Sequence, residues 1–70
     1  MDEKLKEILE ICDRNDCLFN FKLVPGTFYG FSWTVQGPAP WSNGNGVTTM
    51  EVCLDEALEW VRRCESGAVV

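Results

Sequence analysis

Residues 17–36 read CLFNFKLVPGTFYGFSWTVQ, and the fold turns on how they are read. Cys17, Phe19, Phe21 and Leu23 alternate with Leu18, Asn20, Lys22 and Val24. Beyond the break, Tyr29, Phe31, Trp33 and Val35 alternate with Phe28, Gly30, Ser32, Thr34 and Gln36. A period of two carried by aromatic and β-branched residues marks strands with one apolar face. Pro25-Gly26 supplies the turn, because proline presets φ at the first corner and glycine accepts positive φ at the second. The stretch predicts an antiparallel hairpin over 17–36, apolar where helices cover it and mostly polar on its other face.

The flanks read as helices. Leu5, Ile8, Leu9 and Cys12 recur at helical spacing, with Ile11 widening the stripe, which predicts a helix over 3–14. Asp2 is placed to cap it, Glu3 suits the first turn, Glu10 and Arg14 form an i,i+4 pair, and Asn15 offers a left-handed stop. Met50, Cys53, Leu54, Ala57, Leu58, Val61 and Cys64 follow one face through four turns, predicting a second helix over 49–65. Thr48 to Glu51 matches a capping box. A rival register keeps residues 47–52 as a third strand, favoured by the propensities of Val47, Thr48 and Thr49, and starts the helix near Leu54. Between hairpin and helix, residues 37–46 read GPAPWSNGNG, a proline- and glycine-rich loop. Residues 66–70 form a short tail that could fray or add to a neighbouring sheet edge.

The expectation is a single α+β domain over residues 1–70. Its order is α-β-β-(β)-α, with both helices packed on one face of a small antiparallel sheet. The expected core is Leu5, Ile8, Leu9, Phe19, Phe21, Phe31, Trp33, Leu54, Leu58 and Val61. Asn20, Lys22, Gly30, Ser32 and Thr34 would face water or a second subunit.

Charge divides the chain the same way. Both helical ends carry a net −3, and Lys22 is the sole charge between Cys17 and Met50, giving −5 over 70 residues with no histidine. An acidic balance opposes direct nucleic-acid binding, which rests on basic side chains neutralising phosphates. No apolar run approaches the roughly 20 residues that span a bilayer, and the charged N-terminus is not that of a signal peptide. The expected setting is the cytoplasm, without a membrane contact. Chains below roughly 70–80 residues usually need a disulfide, a metal or a partner chain for stability, so a homodimer or larger assembly is expected.

The residues offer little chemistry. Without histidine the commonest general acid/base is missing. Cys12, Cys17, Cys53 and Cys64 lack the close pairs of structural zinc knuckles and read as buried thiols, with Cys17 the most exposed; a disulfide or metal site is the less favoured reading. No catalytic residue, metal site or cofactor is expected. The carboxylates read as a solvated helix exterior. Alternatively, Glu7, Glu10, Asp13, Asp55, Glu56 and Glu59 form a negative patch that steers a basic protein surface. Asn43-Gly44-Asn45-Gly46 reads as a flexible loop or as an anion-binding nest of amides. Trp41 is either a lid over the hairpin or an exposed partner anchor, with Asn43, Asn45, Tyr29 and Phe28 beside it. Trp33 and Trp60 read as packing residues.

A first helix, an aromatic hairpin and the closing LDEALEW segment (Leu54 to Trp60) give the chain a resemblance to small acidic proteins of bacteriophages and mobile elements. These include anti-CRISPR and other anti-defence proteins. Phe28 to Val61 also resembles the hairpin-then-helix half of HicB-like antitoxins, through Glu56-Ala57-Leu58, although the aspartate-proline-glycine turn of that family is absent. The element order is that of double-stranded-RNA-binding domains, but their lysine cluster is missing, with only Arg62 and Arg63 in its place. The resemblance implies a non-enzymatic inhibitor or adaptor that occupies a host protein's surface. The alternative is an oligomeric sponge for a small ligand such as a signalling nucleotide.

Overall fold

In the computed structural model, which describes residues 2–25 and 30–67, the Asp2 carboxylate caps helix α1 (Glu3–Arg14) by accepting from the Lys4 N–H at 2.7 Å and the Leu5 N–H at 3.3 Å. The helix ends at Arg14, as its spacing predicts, but the left-handed stop lies at Asp16 and not at Asn15. Asn15 has φ −118°, while Asp16 takes the left-handed conformation at φ 56°. The Cys17 N–H bonds the Cys12 carbonyl at 2.9 Å and the Asp16 N–H reaches the Asp13 carbonyl at 3.4 Å, the pairing of a Schellman stop. Asn15 supports that stop from outside the turn, its Nδ2 donating to the Ile11 carbonyl at 2.7 Å.

Strands β1 (Leu18–Val24) and β2 (Gly30–Gln36) pair antiparallel from Leu18 opposite Gln36 to Val24 opposite Gly30. A third strand, β3 (Asn43–Gly44), pairs with β2 through Thr34 opposite Gly44 and Val35 opposite Asn43. Helix α2 (Met50–Ser66) closes an α-β-β-β-α order with strand order β1-β2-β3, an α+β fold.

The third strand lies where the sequence reading placed a loop. Pro38 and Pro40 cannot donate to a ladder, but they end before Trp41, so the chain is free to pair from Asn43 onward. The rival strand over 47–52 survives as one bridge: Phe31 and Thr48 exchange both backbone hydrogen bonds, at 2.7 and 2.9 Å. That bridge engages Thr48, so the helix cap moves to Thr49, whose Oγ1 accepts from the Val52 N–H at 3.2 Å. At the far end of α2, Gly67 supplies the left-handed stop at φ 79°.

Both helices pack on the sheet face that carries Trp33 and Val35. Ile8, Val35, Cys53, Ala57 and Val61 are wholly buried, with Ile11, Cys12, Trp33, Leu54 and Leu58 around them. Each large apolar side chain so buried stabilises the fold by ~1.5–3 kcal/mol relative to exposure. The expected core needs three corrections. Leu9 is 38% exposed, because α1 turns Ile11 and Cys12 inward instead. Leu5, Phe19, Phe21 and Phe31 are only half-buried, because α2 lies over β2 and leaves β1 at the margin. Gly30, expected in solvent, is buried: a Cβ there would run into the Val47 side chain of the bridging segment.

Three ion pairs seam α1 to α2. Lys4 meets Asp55 at 2.5 Å, Arg62 grips Glu7 at 2.5 and 2.7 Å, and Arg14 grips Glu65 at 2.6 Å through two nitrogens. Arg14 is thereby drawn away from its expected partner Glu10. No helix among the described residues is long and apolar enough to cross a membrane.

Candidate functional site

The 37–46 segment is held down by its own carbonyls and by α2. The Trp41 N–H bonds the Pro38 carbonyl at 2.7 Å, and the Trp60 indole Nε1–H donates to the Trp41 carbonyl at 2.9 Å. Ser42 Oγ closes the base of the loop, donating to the Gly37 carbonyl at 3.0 Å and accepting the Gly37 N–H at 3.2 Å. Gly37 sits so close to Cys17 that a Cβ would overlap its sulfur. Asn45 continues the sheet by proxy: its Oδ1 accepts the Trp33 N–H at 3.1 Å and its own N–H bonds the Trp33 carbonyl at 3.3 Å.

Where this loop and β3 meet α2, an open cleft of about 200 Å³ forms, lined by Trp33, Asn43, Gly44, Glu56, Glu59, Trp60 and Arg63. Trp60, half-buried, borders it, and Trp33 lies almost wholly buried at its base. Glu56 and Glu59 give it negative charge, and Arg63, 3.9 Å from Glu59, gives it one cation. The buried Trp33 Nε1–H has no hydrogen-bond partner among the described residues. Such a cleft suits a cationic group: an indole face attracts a cation, and two carboxylates add to that attraction.

The expected binding residues divide. Asn43, Glu56 and Glu59 come together in the cleft. Trp41 does not serve as an exposed anchor. It is a lid, 9% exposed, packed into the core, because its backbone is bonded on both sides. Asn45 is half-buried and engaged with Trp33, with its Nδ2 turned to the Glu56 carboxylate at 3.5 Å. Two of the amides expected to form an anion nest are occupied: Gly44 donates to Asn43 Oδ1 at 2.8 Å, and Asn45 donates to the Trp33 carbonyl. Phe28 and Tyr29 lie outside the described residues.

The six-residue acidic patch does not form as one surface. Glu7 and Asp55 are engaged in the helix seam. The hydrogen bonds from Arg62 hold the Glu7 carboxyl below the usual range. Glu10 lines a shallow hollow with Glu3, Lys6 and Glu7, and Asp13 borders a separate groove with Leu9, Cys12, Cys17, Leu18 and Phe19. Glu56 and Glu59 alone face the cleft.

The thiols are free and buried, Cys17 included at 7% exposure, contrary to the expectation that it would be the most accessible. Burial pushes the Cys12 thiol up to about 11 and raises Cys17 and Cys64 as well, so these groups are protonated at neutral pH. Among the described residues no cluster of cysteines and carboxylates could hold a metal ion.

Trp60 and Arg63 are cleft residues that the sequence reading left aside. Glu56, Glu59, Trp60 and Arg63 stand at i, i+3, i+4 and i+7 of α2, a second stripe beside the apolar one, and that spacing was a usable signal. No known family, curated protein or solved structure matches the chain.

Proposed function

We propose that this chain is a non-enzymatic binding protein, an inhibitor or adaptor of the phage anti-defence kind that occupies the surface of a host protein in the bacterial cytoplasm. The observation that carries the reading is the placement of Glu56 and Glu59 beside the Trp60 ring at the rim of an open cleft. A lysine or arginine side chain of a partner fits there, its cation against the indole and both carboxylates. The −5 net charge would steer a basic surface toward it. Burial keeps the Cys12, Cys17 and Cys64 thiols protonated, and Glu7 and Asp55 are tied into ion pairs, which favours recognition over bond-making.

The nucleotide-sponge reading draws less support. Two carboxylates against one guanidinium repel a phosphate, and the Gly44 and Asn45 amides of the loop are already bonded.

Affinity capture from a bacterial lysate tests the proposal when the wild-type chain is run beside Glu56→Gln/Glu59→Gln. The expected result is a basic protein retained by the wild type, lost from the double variant and eluted by salt. Identical captured sets, or turnover of any substrate by the pure protein, would overturn it. Calorimetry against a nucleotide panel separates the sponge, which predicts saturable heat there.

A further inference from the structure

The free edge of the sheet is a second surface, independent of the cleft. Phe31 turns both backbone groups to Thr48, and Trp33 turns its N–H and carbonyl to Asn45. The odd-numbered residues of β2 therefore face β3, and the even-numbered ones face β1, opposite Val24, Lys22, Asn20 and Leu18. It follows that Phe19, Phe21 and Leu23 direct their N–H and C=O groups out of the open side of β1. No described residue meets them there.

We propose that a second copy of this chain docks on that edge, β1 against β1, antiparallel about a two-fold axis at Phe21. In that register Phe21 faces its own counterpart and Phe19 faces Leu23, so the outward backbone groups of each copy satisfy those of the other. The half-buried rings of Phe19, Phe21 and Phe31 stack within one copy at centroid separations of 6.4 and 5.2 Å, and the ladder continues across the axis. On the opposite face Leu18, 66% exposed, meets Val24, while Lys22 falls beside Asn20 and not beside a second Lys22.

Charge argues for a second copy on this edge. Each helix presents net negative charge to a like-charged copy, whereas β1 carries one lysine and no acid. An open apolar strand is also a ready template for pairing. The sheet is small, with two long strands and one of two residues, and its long strand β1 lies at the edge. Pairing β1 with β1 gives four long strands in one sheet.

Sedimentation or light scattering across a concentration series tests this, together with two substitutions on the solvent-facing side of β1. The wild type is expected at twice the 7.9 kDa chain mass as concentration rises. Asn20→Glu places a carboxylate beside each Lys22 of the pair and tightens the dimer. Asn20→Lys sets like charges together and weakens it, each by roughly two- to thirtyfold in the dissociation constant. Amide exchange at Phe19, Phe21 and Leu23 slows as the dimer forms, while the neighbours already bonded to β2 change little. A chain that stays at 7.9 kDa leaves the edge to a foreign strand and overturns the proposal. A dimer indifferent to both substitutions, without new protection at these amides, overturns it equally.

Discussion

The indole of Trp60 donates its Nε1–H to the backbone carbonyl of Trp41 at 2.9 Å, joining α2 to the loop that walls the cleft. Trp60→Phe keeps most of the ring and removes the donor. The expected cost is about 0.5–1.5 kcal/mol, read as a fall in thermal midpoint of about 4–8 °C per kcal/mol for a domain this small. An unchanged midpoint would mean the bond contributes nothing in solution.

Trp41→Ala has a larger consequence. A buried aromatic cut to alanine costs about 3–5 kcal/mol, comparable to what a core of this size supplies. The variant should lose its cooperative melting transition by circular dichroism. A normal transition would show that Trp41 is not packed as the structure has it.

Gly37→Ala places a methyl group into the Cys17 sulfur. The overpacking should cost about 1–3 kcal/mol in urea denaturation. Adding Cys17→Ala removes the obstructing sulfur, so the double variant should be more stable than the two separate losses sum to. Strict additivity would sever the proposed contact.

Acid should weaken the helix seam. The hydrogen bonds of Arg14 and then Asn15 bring the Glu65 carboxyl down to about 2 from an ordinary 4.5. A carboxyl lowered in the folded state contributes its stability above the unfolded pKa and loses it as pH falls toward the folded one. The urea midpoint should therefore drop between about pH 4.5 and 2, and drop less in Glu65→Gln. Glu7, lowered by Arg62, keeps part of the acid sensitivity in that variant.

The thiols should be inert in the native protein. Burial holds Cys12, Cys17 and Cys64 protonated at neutral pH. An aromatic disulfide reagent should label them slowly in buffer and all four cysteines at once in denaturant. Rapid native labelling of Cys17 would contradict its burial.

The sequence carried the architecture through period alone. Alternation over residues 17–36 and the stripe from Met50 to Cys64 both predict the elements found. What it missed depended on long-range contacts. The choice between Leu9 and Ile11 as the buried residue of α1 depends on the angle at which that helix meets α2, which no local pattern encodes. β3 was hidden because Asn43 and Gly44 have poor strand propensity, and their pairing is fixed by Thr34 and Val35 across the sheet. Glu10 next to Arg14 looked like a pair, yet Glu65, fifty-one residues from Arg14, gives the two-pronged geometry a guanidinium favours. The cleft is half legible in the sequence: Asn43, Glu56 and Glu59 are candidate binding residues, whereas Trp60 reads as the border of the apolar stripe and Arg63 as a cation suited to the helix C-terminus, and only the fold brings them together.

Trp33 and Trp60 wall the cleft, and Trp41 is tethered to Trp60. These are the three tryptophans of the chain, so its entire indole emission originates at or beside the cleft. The protein therefore holds an intrinsic optical reporter there: quenching or a spectral shift on titration would register an occupant of the cleft without any attached dye.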